Sequence, residues 1–260
     1  MNFQASRKPI FDAVRRLVGR GLSQGEVTAL DSAITRAAEG PDQNRTAIAA
    51  PHRLGSLSEH YESGGRGPGT VSGGQGDPGG VSYGLFQLAS RPGTVSAFLA
   101  AEGKRWAARL ADAAPGTSAF SAIWRAIAAE EAESFADAQR AFIARSHYRP
   151  AVLAVRVQTG LDLDARPDAV RDAVWSTAVQ HGSAARLLCA AVAEADAASP
   201  RDGAGYDRAL VEAIYRQRSA FVRDLAGRSA PAVRQTLITV AERRYPDELA
   251  AALAMLMPLA

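Results

Sequence analysis

The chain has 260 residues, 47% of them hydrophobic and 22% charged, with 30 Lys and Arg against 27 Asp and Glu. These are the proportions of a folded globular chain long enough to bury a sizeable core, which excludes a disordered or fibrous class. The net charge of +3 is spread along the sequence without a basic block, so a nucleic-acid partner is not expected.

Cys189 is the single cysteine, which excludes an intrachain disulfide and a cysteine-based metal site; four scattered histidines give no metal constellation either, and no cofactor is expected. No segment approaches the roughly 20 apolar residues that span a bilayer, so membrane insertion is not expected. The first residues, MNFQASRKPIFDAVRRL, place charges where a signal peptide would have its apolar core. Synthesis in the cytoplasm without a signal peptide is the expectation.

Residues 1–50 read as a helical hairpin and residues 51–260 as the main domain. In the hairpin, Ile10, Phe11, Val14, Leu17 and Val18 share one helical face, and Ser23-Gln24-Gly25-Glu26 opens a second helix as a capping box. Pro51 and Gly55 break the connection that follows. Ser56-Leu57-Ser58-Glu59 then reads as another capping box, launching a short helix that ends near Glu62.

Beyond it lies a glycine-rich stretch. Ten of the chain's 23 glycines fall between Gly64 and Gly84, yet Arg66, Asp77, Ser82, Tyr83 and Gln87 sit among or just after them, which a flexible spacer would not carry. Fifteen positions separate Glu62 from Asp77, too far for one helix face and suited to two carboxylates across a cleft. Glycoside hydrolysis uses such a pair, one carboxyl protonated to serve the leaving oxygen and one ionised. Leu57 and Tyr61 give Glu62 an apolar setting that raises a carboxyl pKa, whereas backbone N–H groups among Gly and Pro favour ionised Asp77. The roles divide as Glu62 acid and Asp77 base.

Farther along, helices are expected over Thr94–Ala101, around Trp106 and Leu110, and through a long region from Ser118 that carries Phe120, Ile123, Trp124, Ile127, Phe135, Phe142 and Ile143. Glu130, Glu131 and Glu133 within it read as a solvated face. His147-Tyr148-Arg149-Pro150 predicts a break. Pro167 starts the next helix, DAVRDAVWSTAVQHG, with Val170, Val174, Trp175 and Ala178 inward and Gly182 as its stop. Helices near 184–197, 205–226, 230–244 and 246–257 read as scaffold, with Tyr206, Tyr215, Phe221 and Tyr245 in the core.

The run YESGGRGPGTVSGGQGDPGGVSYGLFQL resembles the catalytic segment of chitosanase-like peptidoglycan hydrolases of the lysozyme superfamily, found in phage endolysins and at the ends of type VI secretion spike proteins. WSTAVQHG is a second matching segment, and the N-terminal hairpin is similar to the leader of many endolysins. The resemblance implies a mostly α, lysozyme-like fold with a glycine-rich catalytic loop or small β-hairpin. It places the catalytic pair on Glu62 and Asp77, with Ser82 orienting the attacking water. Tyr61, Arg66, Tyr83, Gln87 and Gln180 are the expected substrate contacts, although each aromatic also suits packing. The substrate implied is the β-1,4 glycan of peptidoglycan, reached in the periplasm or at the wall through a holin or a secretion apparatus. Leu85-Phe86-Gln87 departs from that family's pattern toward the GLMQ segment of lytic transglycosylases, which use one acid. A transglycosylase, a chitosanase and a non-catalytic wall-binding or phage-structural protein therefore stay open.

Overall fold

The computed structural model describes residues 52–63, 67–73, 79–91 and 93–257, with only the backbone described for residues 60–63 and 232, and these lie within one unit, His52–Ala260. The predicted N-terminal hairpin, Arg66 and Asp77 fall outside the described residues. The mostly α architecture expected from the sequence is what forms. Helix α1 spans Ser56–Ser63. A two-stranded antiparallel hairpin follows, β1 Ser82–Tyr83 and β2 Leu88–Ala89, in the register Ser82 to Ala89 and Tyr83 to Leu88.

Four helices pack beneath this hairpin: α2 Thr94–Ala100, α3 Lys104–Leu110, α4 Ser118–Glu130 and α5 Ala132–Ile143. Thr117 caps α4, its side chain accepting from the backbone N–H of Phe120, as N-cap threonines do. Phe120, Trp124 and Ile127 recur at helical spacing on the buried face of α4. They meet Phe98, Trp106 and Phe135 in an aromatic cluster whose closest ring pair, Trp124 and Phe135, has centroids 4.6 Å apart. Edge and tilted contacts of this kind stabilise beyond the area they bury.

The long helix predicted from Ser118 is divided at Glu131, whose backbone leaves the helical region at φ −135° and ψ 43°. Its carboxylate accepts from Trp106 Nε1 at 3.0 Å and pairs with Arg105. The acidic run is therefore a structural tie at its middle residue and not simply a solvated face.

The break predicted at His147–Pro150 does not occur. A π turn, Ala144–Tyr148, carries α5 into α6, Arg149–Thr159, with Pro150 in the first turn of α6. The wider turn relieves the clash between a proline ring and the carbonyl before it, and a first-turn proline forfeits no helical bond. The same device recurs near the end of the chain, where the π turn Val240–Arg244 precedes Pro246.

Helix α7 spans Asp168–Gln180, α8 Ala184–Ala198, α9 Tyr206–Gly227, α10 Pro231–Thr239 and α11 Tyr245–Ala254. Val170, Val174, Trp175 and Ala178 are buried on α7 as their spacing predicts. Tyr206, Tyr215 and Tyr245 are buried and Phe221 is half-buried against the core. Among the described residues, no helix is long and apolar enough to cross a membrane.

Candidate functional site

Glu62 and Tyr61 lie in the last turn of α1. The start of that helix is held from a distance. Asp172 of α7, fully buried, accepts at Oδ1 from the backbone N–H of Gly55 (2.8 Å) and at Oδ2 from that of Leu57 (3.0 Å). Ser56 Oγ donates to Oδ2 at 3.2 Å, and His52 Nε2 lies 3.1 Å from Oδ1. The capping box predicted at Ser56 is thus replaced by a carboxylate from another helix, a stronger acceptor for the exposed N–H groups of a first turn. Gly55 permits this approach: its φ is 90° and a Cβ there would sit 2.7 Å from the Trp175 ring.

The segment bearing Asp77 is pinned at both ends. On one side Ser72 N–H donates to Ser82 O at 2.9 Å and Ser72 Oγ accepts from Ser82 N–H at 2.8 Å. On the other, Arg91 N–H donates to Gly79 O at 3.0 Å and Ser90 N–H to Val81 O at 2.9 Å. Val71 bridges Tyr83, and Gly84 N–H donates to Thr70 O at 2.7 Å. Residues 70–72 therefore run as a third extended segment beside β1.

Two neighbouring side chains of α5 hold both acid-bearing segments. Gln139, fully buried, accepts from Leu85 N–H at 2.8 Å and donates to Pro68 O at 3.2 Å, an oxygen that also takes Trp124 Nε1 at 2.9 Å. Gly84, at φ 77°, leaves room for that amide: a Cβ would lie 2.2 Å from Gln139 Oε1. Next to it, Arg140 pairs with Glu59 of α1 at 2.7 Å and with Asp137 at 3.0 Å.

The expected contact residues part company here. Ser82 is buried in β1. Tyr83 is fully buried; its hydroxyl bonds Ser121 Oγ at 2.9 Å and accepts from Gly116 N–H at 3.0 Å, while its ring meets Phe120 and Trp124. Tyr83 therefore packs, and the sugar contact expected of it has no free ring face. Gln87 differs: half-buried in the turn of the hairpin, it holds a φ of 53°, and its Nε2 is buried without a hydrogen-bond partner among the described residues. A non-glycine residue in that region stores strain, and a buried unpaired amide is costly, a combination found at ligand sites.

Gln180 spends its carbonyl on Arg218 Nη2 at 2.7 Å. Arg218 is fully buried between the rings of Tyr215 and Tyr245 and pairs with buried Glu248 at 2.9 Å, which Ser176 and Arg244 also reach. Burial would raise the Glu248 carboxyl, but Arg218 and Arg244 outweigh it and hold the group below the usual carboxylate range. His181, the C-cap of α7, bonds Tyr245 at 2.9 Å; burial first, then Arg218 and Arg244, push its pKa down to about 4.

A hollow of about 410 Å³ opens between α9 and α11 and one of about 380 Å³ between α9 and α10, both lined by Arg223, and one of about 240 Å³ lies between the first π turn and the end of α7; none is lined by an expected site residue. Among the described residues, no group of three or more His, Cys, Asp or Glu could hold a metal ion.

The family described as "Type VI secretion system spike protein VgrG3-like, C-terminal" matches residues 54–244. The chain belongs to that family. It is also 38% identical over 135 residues to the type VI secretion system spike protein VgrG3 of Vibrio cholerae serotype O1, a match covering 52% of this chain and 13% of that protein. The matched region of the VgrG3-like family opens at the turn before α1 and includes the pinned loop, Gln139 and Asp172. Asp172 and Gln139 escaped the sequence reading because their partners lie 117 and 54 residues away; nothing local marks them.

Proposed function

We propose that this VgrG3-like chain is a glycoside hydrolase that cuts the β-1,4 glycan of peptidoglycan. Glu62, as general acid, protonates the glycosidic oxygen while Asp77, as general base, takes a proton from a water that attacks the anomeric carbon from the opposite face. Ser82 orients that water. Charge builds on the sugar ring in an oxocarbenium-like transition state, and the product has inverted configuration when the carboxyls stand roughly 6.5–9.5 Å apart. Tyr61, Arg66, Gln87 and Gln180 are the remaining substrate contacts, Gln87 offering its unpaired Nε2 to a sugar hydroxyl or acetamido oxygen.

The observation that carries this reading is the pair of adjacent ties on α5. Gln139 fixes both flanks of the loop segment and Arg140 fixes α1, so the segments bearing the two acids are anchored on one helix. Family membership supports delivery by a type VI secretion apparatus to the periplasm, where the glycan is exposed.

Digestion of purified sacculi tests the proposal. New reducing ends are expected from the wild-type chain, and Glu62→Gln and Asp77→Asn should each abolish them while leaving the circular dichroism spectrum unchanged. Continued cleavage by Asp77→Asn with anhydro-muramoyl ends would assign a transglycosylase that uses Glu62 alone. Cleavage of chitosan but not sacculi would assign a chitosanase. Binding to sacculi without any cleavage would leave a wall-binding role.

A further inference from the structure

The acid proposed for catalysis stands on a helix of eight residues, and isolated helices of that length do not persist in water. What keeps it formed and aimed must come from outside. Leu57 seats it against the core, Arg140 holds Glu59 on one flank, and Asp172 gathers four donors at its start, two of them backbone N–H groups.

Asp172 does more than neutralise a helix end. It is fully buried, its two oxygens are divided between Gly55 and Leu57, and Trp175, one turn farther along α7, fills the space above Gly55. The carboxylate thus fixes both the position and the direction of the first turn. Glu62 follows Ser56 by six residues, so it lies about 9 Å along the axis from this anchor, and a tilt of about 10° there displaces it by about 1.6 Å. A displacement of about 1 Å is enough to cost on the order of a hundredfold in rate when a reacting group is misplaced.

We infer that Asp172 is a positioning residue for Glu62: its buried carboxylate sets the axis of α1 and so aims the acid at the glycosidic oxygen. The inference rests on the hydrolase reading above for the reaction and on the hydrogen bonds alone for the hold on α1.

Hydrogen exchange and sacculus turnover on the same variants test both parts. In Asp172→Asn one of the two oxygens becomes a donor facing donors. Amides of residues 55–63 should exchange roughly ten- to hundredfold faster, as expected for the loss of bonds to a charged group, while α8 and α9 keep their protection. Turnover at saturating sacculi should drop by a similar factor with KM nearly unchanged, the signature of an interaction needed in the transition state and not for binding. Val192→Ala, a cavity in α8, is the stability control and should lower the melting temperature without touching either readout. Should Asp172→Asn fail to fold, the double variant His52→Ala/Ser56→Ala, which removes two donors and keeps the carboxylate, should show the same pattern in smaller measure.

Wild-type exchange over residues 55–63 in the folded variant, or a turnover loss no larger than that of Val192→Ala, would overturn the inference. If the wild-type chain releases no reducing ends, the hydrolase reading fails, and the exchange data still decide whether Asp172 holds α1.

Discussion

The two halves of the described chain are held together by different means. From α7 to α11 the helices are joined by apolar faces, with a single buried ion centre, Arg218 and Glu248, set among tyrosines. Around α1 and the pinned loop, isolated polar side chains grip backbone groups: Asp172 at Gly55 and Leu57, Gln139 at Leu85 and Pro68. Apolar packing tolerates small adjustments because it is spread over many contacts, whereas a hydrogen bond to a particular amide fixes a segment or releases it. The helical half should therefore answer substitution in stability and the site half in activity.

The sharpest break in that comparison is at the ion centre. Glu248→Ala leaves Arg218 charged and buried without its partner, and a loss of about 3–5 kcal/mol is expected, read as a large fall in the denaturant midpoint. Next comes acid. His181 has a folded pKa of about 4 against an unfolded value near 6.5, so the unfolded chain binds the extra proton between those pH values. Stability is then full above pH 6.5 and falls by up to about 3 kcal/mol on the way down to pH 4. Glu248, whose carboxyl is also held low, adds a further loss as pH drops below the ordinary carboxylate range. Urea titrations across pH 7 to 4 measure this slope, and His181→Phe should flatten its upper part.

Gln139→Leu tests the other half. It strands Leu85 N–H in the interior and removes one of two donors from Pro68 O, at a cost of about 1–3 kcal/mol. Sacculus cleavage should fall by more than the melting temperature alone would explain, since the loop flanks lose their common anchor. Smallest of all, Arg208→Ala removes an exposed pair with Glu212 one helical turn away, and about 0.3–0.5 kcal/mol is expected. A thermal melt that shifts by several degrees there would contradict the picture of a half held by its apolar core.

The same contrast explains what could be read from the sequence. Helix faces such as Phe120, Trp124 and Ile127, and the inward stripe of α7, are periodic and local, so spacing alone located them. The motif from Tyr61 to Gln87 stood out because its residues are unusual among so many glycines. Tyr83 misled, because an aromatic in a glycine-rich motif looks the same in sequence whether its ring is open to a ligand or, as here, its hydroxyl bonds Ser121 beneath the hairpin. The division at Glu131 depended on an indole 25 residues earlier. Both π turns were hidden because a proline after a tyrosine or an arginine signals an interruption, while a widened turn absorbs it without one.

The paired fastening of Ser72 to Ser82 and of Gly79 to Arg91 also has a corollary for loop length. Loop-closure entropy grows slowly with length, by about 0.6 kcal/mol per doubling, so added residues between these ties cost little. The length between the ties can therefore vary without rebuilding the frame that carries them.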